Sequence, residues 1–182
     1  MRVFRRIMLG SGIDIDALPA TQKLYYQATA KVTPKSNSLG VLLIANEWNA
    51  STNEGDIISI NLLAFSNCSS LTSITIPNSV MTIGRGGFDF CYSLKRVDIT
   101  DLSAWCKLSF SDASANPLHY KAKLYLNGSE LTDITIPSDI TEMKMSTFWK
   151  CTSLTSVTIP DSVTSIGRSA FSNCDSLRSV TI

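Results

Sequence analysis

The feature that most narrows what this chain can become is that it copies itself. Ala64-Phe65-Ser66-Asn67-Cys68-Ser69-Ser70-Leu71 returns as Ala170-Phe171-Ser172-Asn173-Cys174-Asp175-Ser176-Leu177, and Leu71-Thr72-Ser73-Ile74-Thr75-Ile76-Pro77 returns as Leu154-Thr155-Ser156-Val157-Thr158-Ile159-Pro160. Phe65 and Phe88 stand 23 residues apart, as do Phe148 and Phe171, and the cysteines of the same units, Cys68 and Cys91 or Cys151 and Cys174, keep that step. Self-similarity at such a period means one small unit stacked on copies of itself, each burying its apolar side against its neighbours.

Each position of the unit has a physical reason. Alternation in Ser73-Ile74-Thr75-Ile76 sends the two isoleucines inward and Ser73 and Thr75 outward. Pro77 has no N–H for a ladder and ends the strand. Val80 and Ile83 are expected to turn inward again, with Gly84 at a positive φ that Asn61, its counterpart one unit earlier, would also tolerate. The Ala-Phe pair is expected to open a short helical turn whose Phe stacks on its copies. A unit of this length carrying Leu-x-x-Ile-x-Ile lies in the range of leucine-rich repeats, which implies a leucine-rich repeat solenoid of α/β type, strand plus short helical turn, about 23 residues per unit.

The repeat register covers residues 56–182. Residues 1–55 lack it and read as a leader followed by an N-terminal β cap: a strand over 23–32, a second over 41–48, and Trp48 packed within the cap. Between about 100 and 130 an insert breaks the rhythm, since Phe88 and Phe148 are 60 apart, 37 more than one unit. Asp101 should cap a short helix there, and Lys123-Leu124-Tyr125-Leu126-Asn127-Gly128 reads as a hairpin arm with its turn. Lys144 replaces Gly at the Gly84 place, so an altered turn is expected there.

Composition removes several functions. A net charge of +1 offers no field for nucleic acid. No apolar run is long enough to span a bilayer, and the basic start, Met1 to Leu9, breaks at Gly10-Ser11-Gly12, too early for a secretory h-region. Four of the five cysteines share one repeat position and read as buried reduced thiols; zinc-ligand spacing, phosphate loops and dinucleotide fingerprints are absent, so no cofactor is expected. The sole histidine, His119, reads as a surface loop residue, and nothing in the spacing places it beside Cys106 as a catalytic pair.

The pattern Ala-Phe-x-x-Cys-x-Ser-Leu-x-x-Val/Ile-x-Ile-Pro-x-Ser-Val-x-x-Ile-Gly, around Phe65, Phe171 and residues 154–167, resembles the BspA-like leucine-rich repeats of bacterial surface antigens and adhesins. The insert, from Asp101 to Gly128, also looks like an element of that family. The resemblance implies a non-catalytic module for protein recognition or adhesion at a cell surface or in secreted form, with a host surface or matrix protein as the partner class. It carries no binding residue, because the shared motif is structural. Candidates therefore lie where copies differ: Phe90 and Trp149, large aromatics where Asn67 and Ser172 stand, and Lys95-Arg96, the charged island on a Ser/Thr strand face. Packing of Phe90 and Trp149 under the insert is the competing reading. The alternative function is a structural array segment, associating end to end through the repeat that finishes at Val180-Thr181-Ile182.

Overall fold

The computed structural model describes residues 41–43, 59–69 and 71–182. The expected leader, the strand over 23–32 and Trp48 lie outside them. Along the chain run β1 (Val41–Leu43), β2 (Ser59–Ile60), β3 (Ser73–Thr75), β4 (Thr82–Ile83), β5 (Arg96–Ile99), α1 (Leu102–Lys107), β6 (Ser109–Phe110) and β7 (Lys123–Leu126). After these come β8 (Ser129–Glu130), β9 (Asp133–Thr135), β10 (Glu142–Met143), β11 (Ser156–Thr158), β12 (Ser165–Ile166) and β13 (Ser179–Thr181).

The strands stack as coils with two sheet faces. On one face β1, β3, β5 and β7 are parallel neighbours, and β9, β11 and β13 form a second parallel group; the other face holds β2-β4-β6 and β10-β12. Ser73 pairs with Arg96, Ser59 with Thr82, Asp133 with Ser156 and Ser156 with Ser179, each a step of 23. A parallel pair needs a crossover, and here the rest of each coil is that crossover.

Strand alternation behaves as the sequence requires. Ile74, Ile76, Val80 and Ile83 are buried, while Ser73 and Thr75 keep partial exposure. The phenylalanines stack coil on coil, Phe65 on Phe88 with centroids 5.2 Å apart and Phe148 on Phe171 at 5.5 Å. Beside them the thiols are free, with Cys68, Cys91 and Cys151 buried; Cys91 Sγ–H donates to Phe65 O and Cys174 Sγ–H to Phe148 O. Burial pushes the Cys151 thiol up to about 12.

Two local expectations need correction. The segment around Phe65 is a chain of tight turns rather than a helix, because two residues in each coil are left-handed and break helical continuation. They are Leu63, Gly86, Ser146 and Ser169 at one place and Asn67, Phe90, Lys150 and Asn173 at the other. Neither Gly84 nor Asn61 has positive φ. Gly84 is needed for close approach: a Cβ there would sit 2.5 Å from Leu62 N of the preceding coil, and at Gly167 a Cβ would sit 2.6 Å from Met145 N. The turn at Lys144 keeps the regular form, with Ser146 at φ 61 matching Gly86 at φ 63. Lys144 tolerates a side chain because β10 pairs with β12 alone and no ladder draws a preceding coil's backbone onto it.

Residues 100–130 run within the stack as one wider coil. Asp101 caps α1 by accepting from Ser103 N and Ala104 N, and the chain then supplies β6, two 3₁₀ turns (Ala113–Ala115 and Pro117–Tyr120) and β7. Arg96 pairs with Lys123 and Thr82 with Ser109, both steps of 27. The hairpin β7-β8, turning through Asn127 and Gly128 at positive φ, adds the remaining ten residues before β9 restores the register.

Past this coil the strand ladders stop, and side chains bridge the seam. In regular coils the Phe backbone N–H donates to the next coil, as Phe65 N does to Gly87 O and Phe148 N to Ala170 O. Thr147 O, at the Gly87 place, instead accepts from the buried indole Nε1 of Trp105 at 3.1 Å, and Ser146 O accepts from Asn116 Nδ2 at 2.7 Å. Without those donors two buried carbonyls would be orphaned.

Candidate binding surface

The turn corner of the coil decides which unusual side chains meet. Phe90 occupies a left-handed position that Asn67 and Asn173 fill in other coils, φ 59 for a ring residue with no intrinsic tolerance of it. Its N–H faces Asp89 Oδ1 at 3.1 Å and Tyr120 Oη at 3.0 Å, and Tyr120 in turn donates its hydroxyl to Asp89 Oδ1 at 2.9 Å. Tyr120 is presented by the second 3₁₀ turn, which Asn116 fixes from both ends: its Oδ1 accepts from Leu118 N while its Nδ2 holds Ser146 O. The wide coil therefore brings its own aromatics level with Phe90.

A continuous row of rings results. Phe90 meets Tyr92 at 6.0 Å, Tyr92 meets Tyr120 at 4.8 Å, Tyr120 meets His119 at 4.4 Å and His119 meets Trp149 at 4.9 Å. The first three contacts are edge-to-face, an arrangement that the ring quadrupoles favour. Phe90 is 43% and Tyr92 58% exposed, and the other three are half-buried. Lys150 closes the row, its Nζ 4.5 Å from the Trp149 centroid and donating to His119 O at 3.0 Å.

His119 is packed here rather than loose at the surface. Its Nδ1 lies 3.2 Å from Ala113 O, and because a carbonyl only accepts, Nδ1 carries the proton. Burial first, then the Lys150 charge, lowers its pKa below the ordinary imidazole value, leaving a neutral ring at pH 7. Tyr120 moves the other way, raised chiefly by burial.

Of the four residues singled out from sequence, Phe90 and Trp149 belong to this row and Lys95 and Arg96 do not. Trp149 does pack on the wide coil, through His119, whereas Phe90 stays exposed. Lys95 is exposed beside β5, and Arg96 is committed within the sheet face, its guanidinium donating to both Asp98 oxygens at 2.7 Å and lying 3.9 Å from the Tyr125 centroid. The charged island is thus half neutralised. Tyr92, Tyr120 and His119 were not singled out. Tyr92 carried a signal, since it follows Cys91 where Ser69, Thr152 and Asp175 follow the other cysteines; Tyr120 lies in a coil with no repeat register.

Catalytic groups are not assembled around Cys106. It is buried in α1, and burial pushes its thiol up to about 12, so it holds its proton at neutral pH. His119 spends its contacts on Ala113, Tyr120 and Trp149. Among the described residues no three His, Cys, Asp or Glu side chains are grouped to hold a metal ion, and no helix is long and apolar enough to cross a membrane.

Solved structures with similar coils come from bacteria. A leucine-rich repeat protein of T. pallidum aligns at 24% identity and TM-score 0.48 over 77% of this chain and 57% of its own. A leucine-rich cell surface protein of Faecalibacterium prausnitzii A2-165 aligns at 25% and 0.43 over 82% and 48%, and the pneumococcal vaccine antigen PcpA at 17% and 0.38 over 70% and 43%. The chain spans about half the length of these structures. No curated protein matches it. Six copies of the BspA type leucine rich repeat region match residues 48–116 and 119–182, and with the stacked coils in view the chain belongs to the BspA-type leucine-rich repeat family.

Proposed function

We propose that this chain is a non-catalytic protein-recognition module of the adhesion type, and that its binding surface is the aromatic row from Phe90 to Trp149. The observation that carries the reading is that row: five rings in unbroken contact across three coils, with the two most exposed among the large apolar side chains of the surface. Aromatic side chains are enriched among the residues that dominate interface energetics, and a rigid row loses little entropy when covered. Family membership supports the class of function, since leucine-rich repeats serve protein interaction. Capture of host surface and matrix proteins by the immobilised chain tests it. Retained capture by a variant carrying F90S, Y92S and W149S together would remove the row from the function.

The alternative, a structural segment that stacks with further coils, rests on the edge of β13. Val180 is 52% and Ile182 87% exposed there, and β13 pairs on one side only. Sedimentation across a hundredfold concentration range distinguishes the two: a row-dependent binder stays a single species, and an assembling segment grows in mass.

A further inference from the structure

We infer that the partner segment for the aromatic row is a proline-rich stretch of protein in polyproline II conformation; this rests on the recognition reading above. A polyproline II chain is fully extended, makes no internal hydrogen bonds and, where proline dominates, carries carbonyl acceptors with almost no N–H donors. Its natural complement is a set of ring ridges with donors between them and no free charge.

The row has that chemistry. Successive rings are inclined by 64°, 63°, 75° and 55°, so they form ridges and grooves rather than a flat platform. Steps of 4.4 to 4.9 Å between Tyr92, Tyr120, His119 and Trp149 make two steps comparable with one polyproline II turn, roughly 9 Å. Among the described residues the Trp149 indole N–H and the Tyr92 hydroxyl have no hydrogen-bond partner, and both are donors. The charges nearby are already satisfied: Asp89 by the Tyr120 hydroxyl, Lys121 by Asp175 at 3.2 Å, and Lys150 by His119 O and the Trp149 ring. An acidic or basic peptide would find little to pair with. A sugar ring needs an open aromatic face and polar groups around it, yet Lys150 lies against the Trp149 ring and Asp89 is occupied. The left-handed Phe90, retained where other coils have Asn, fixes the end of the row at the expense of backbone strain.

The test uses the whole chain and three probes read by fluorescence polarisation: a labelled decaproline peptide, a Gly-Ser peptide of equal length, and a labelled maltohexaose. Decaproline should bind at least tenfold more tightly than the Gly-Ser peptide. W149F keeps a ring and loses the donor, so it should weaken decaproline severalfold, and Y92S with W149S should weaken it at least tenfold while circular dichroism shows an unchanged fold. Equal binding of the two peptides, or indifference to W149F and to the double variant, would overturn the inference. Row-dependent binding of maltohexaose without decaproline would overturn it in favour of a glycan. Row-dependent capture of host proteins alongside silence from decaproline would reject the polyproline assignment and leave the recognition reading standing; loss of both would reject both.

Discussion

At the scale of single residues, Phe90 and His119 are where strain and burial are concentrated outside the core. A left-handed L-residue costs about 1–2 kcal/mol, and Asn bears it better than Phe or Ala. Phe90 also gives an edge-to-face contact to Tyr92, a pair worth about 0.5–1.5 kcal/mol beyond its burial. F90N is therefore expected to be more stable than F90A by about 1 kcal/mol in urea titrations, because only the first relieves the backbone while both lose the ring. A gap near zero would mean the left-handed turn carries no strain. His119 gives a pH signature. Its folded pKa lies below the unfolded value near 6.5, so the unfolded chain binds the proton more readily. Stability is full above about 6.5 and falls as the solution is acidified from there toward the folded pKa. Asp89 and Asp112, which favour the charged ring, limit the effect but do not reverse it. Urea midpoints between pH 7.5 and 5 should fall more for the parent chain than for H119Q; equal slopes would assign the loss to other groups.

Among elements, α1 and the wide coil decide whether the stack is one body. The ladders end at β6 and β7, and α1 reaches across the gap with Trp105 to Thr147 O and with Ser103 and Lys107 to Asp139, both at 2.5 Å. The Asp139 contacts are exposed and contribute little. Trp105 is 2% exposed, and its indole N–H replaces a missing backbone donor. W105F keeps most of the apolar bulk and orphans Thr147 O, an expected loss of about 1–3 kcal/mol, while W105A, which also opens a cavity, should lose about 3–5 kcal/mol. If W105F unfolds at the parental urea midpoint, the indole bond is not what joins the two groups of coils.

For the whole molecule, stability is that of a one-dimensional stack, in which each coil gains from its neighbours and the end coil gains from one side alone. Ile60, Phe65, Phe88, Leu94 and Phe148 are almost wholly inaccessible, whereas Ile166, Val180 and Ile182 are more than half exposed. Hydrogen exchange should be slowest in β5 and β7, at the centre, and fastest in β12 and β13, with the gradient expressed as local opening rather than global unfolding. Uniform protection along the chain would mean that the coils unfold as one cooperative unit. Cys106 and Cys151, buried with raised pKa values, should react with a thiol reagent only as fast as their coils open.

The repeat was legible in the sequence because its determinants are local. Alternation sends Ile74 and Ile76 inward, Pro77 ends a strand, Asp101 caps a helix and Asn127-Gly128 turns a hairpin whatever lies further along the chain. The sequence by itself thus determined the stacked architecture and which side of each strand is core. What only the tertiary structure decided depends on the neighbouring coil. Gly84 is required by the backbone of Leu62 rather than by its own φ, and the left-handed turns fall two and six residues later, at Gly86 and Phe90. Residues 100–130, seen as an interruption, lie in the stack because Lys123 and Ser109 find parallel partners that no repeat register announces. The aromatic row exists for the same reason: Phe90, Tyr120 and Trp149 are 30 and 29 residues apart in a chain whose regular step is 23, and stacking alone brings them to one corner.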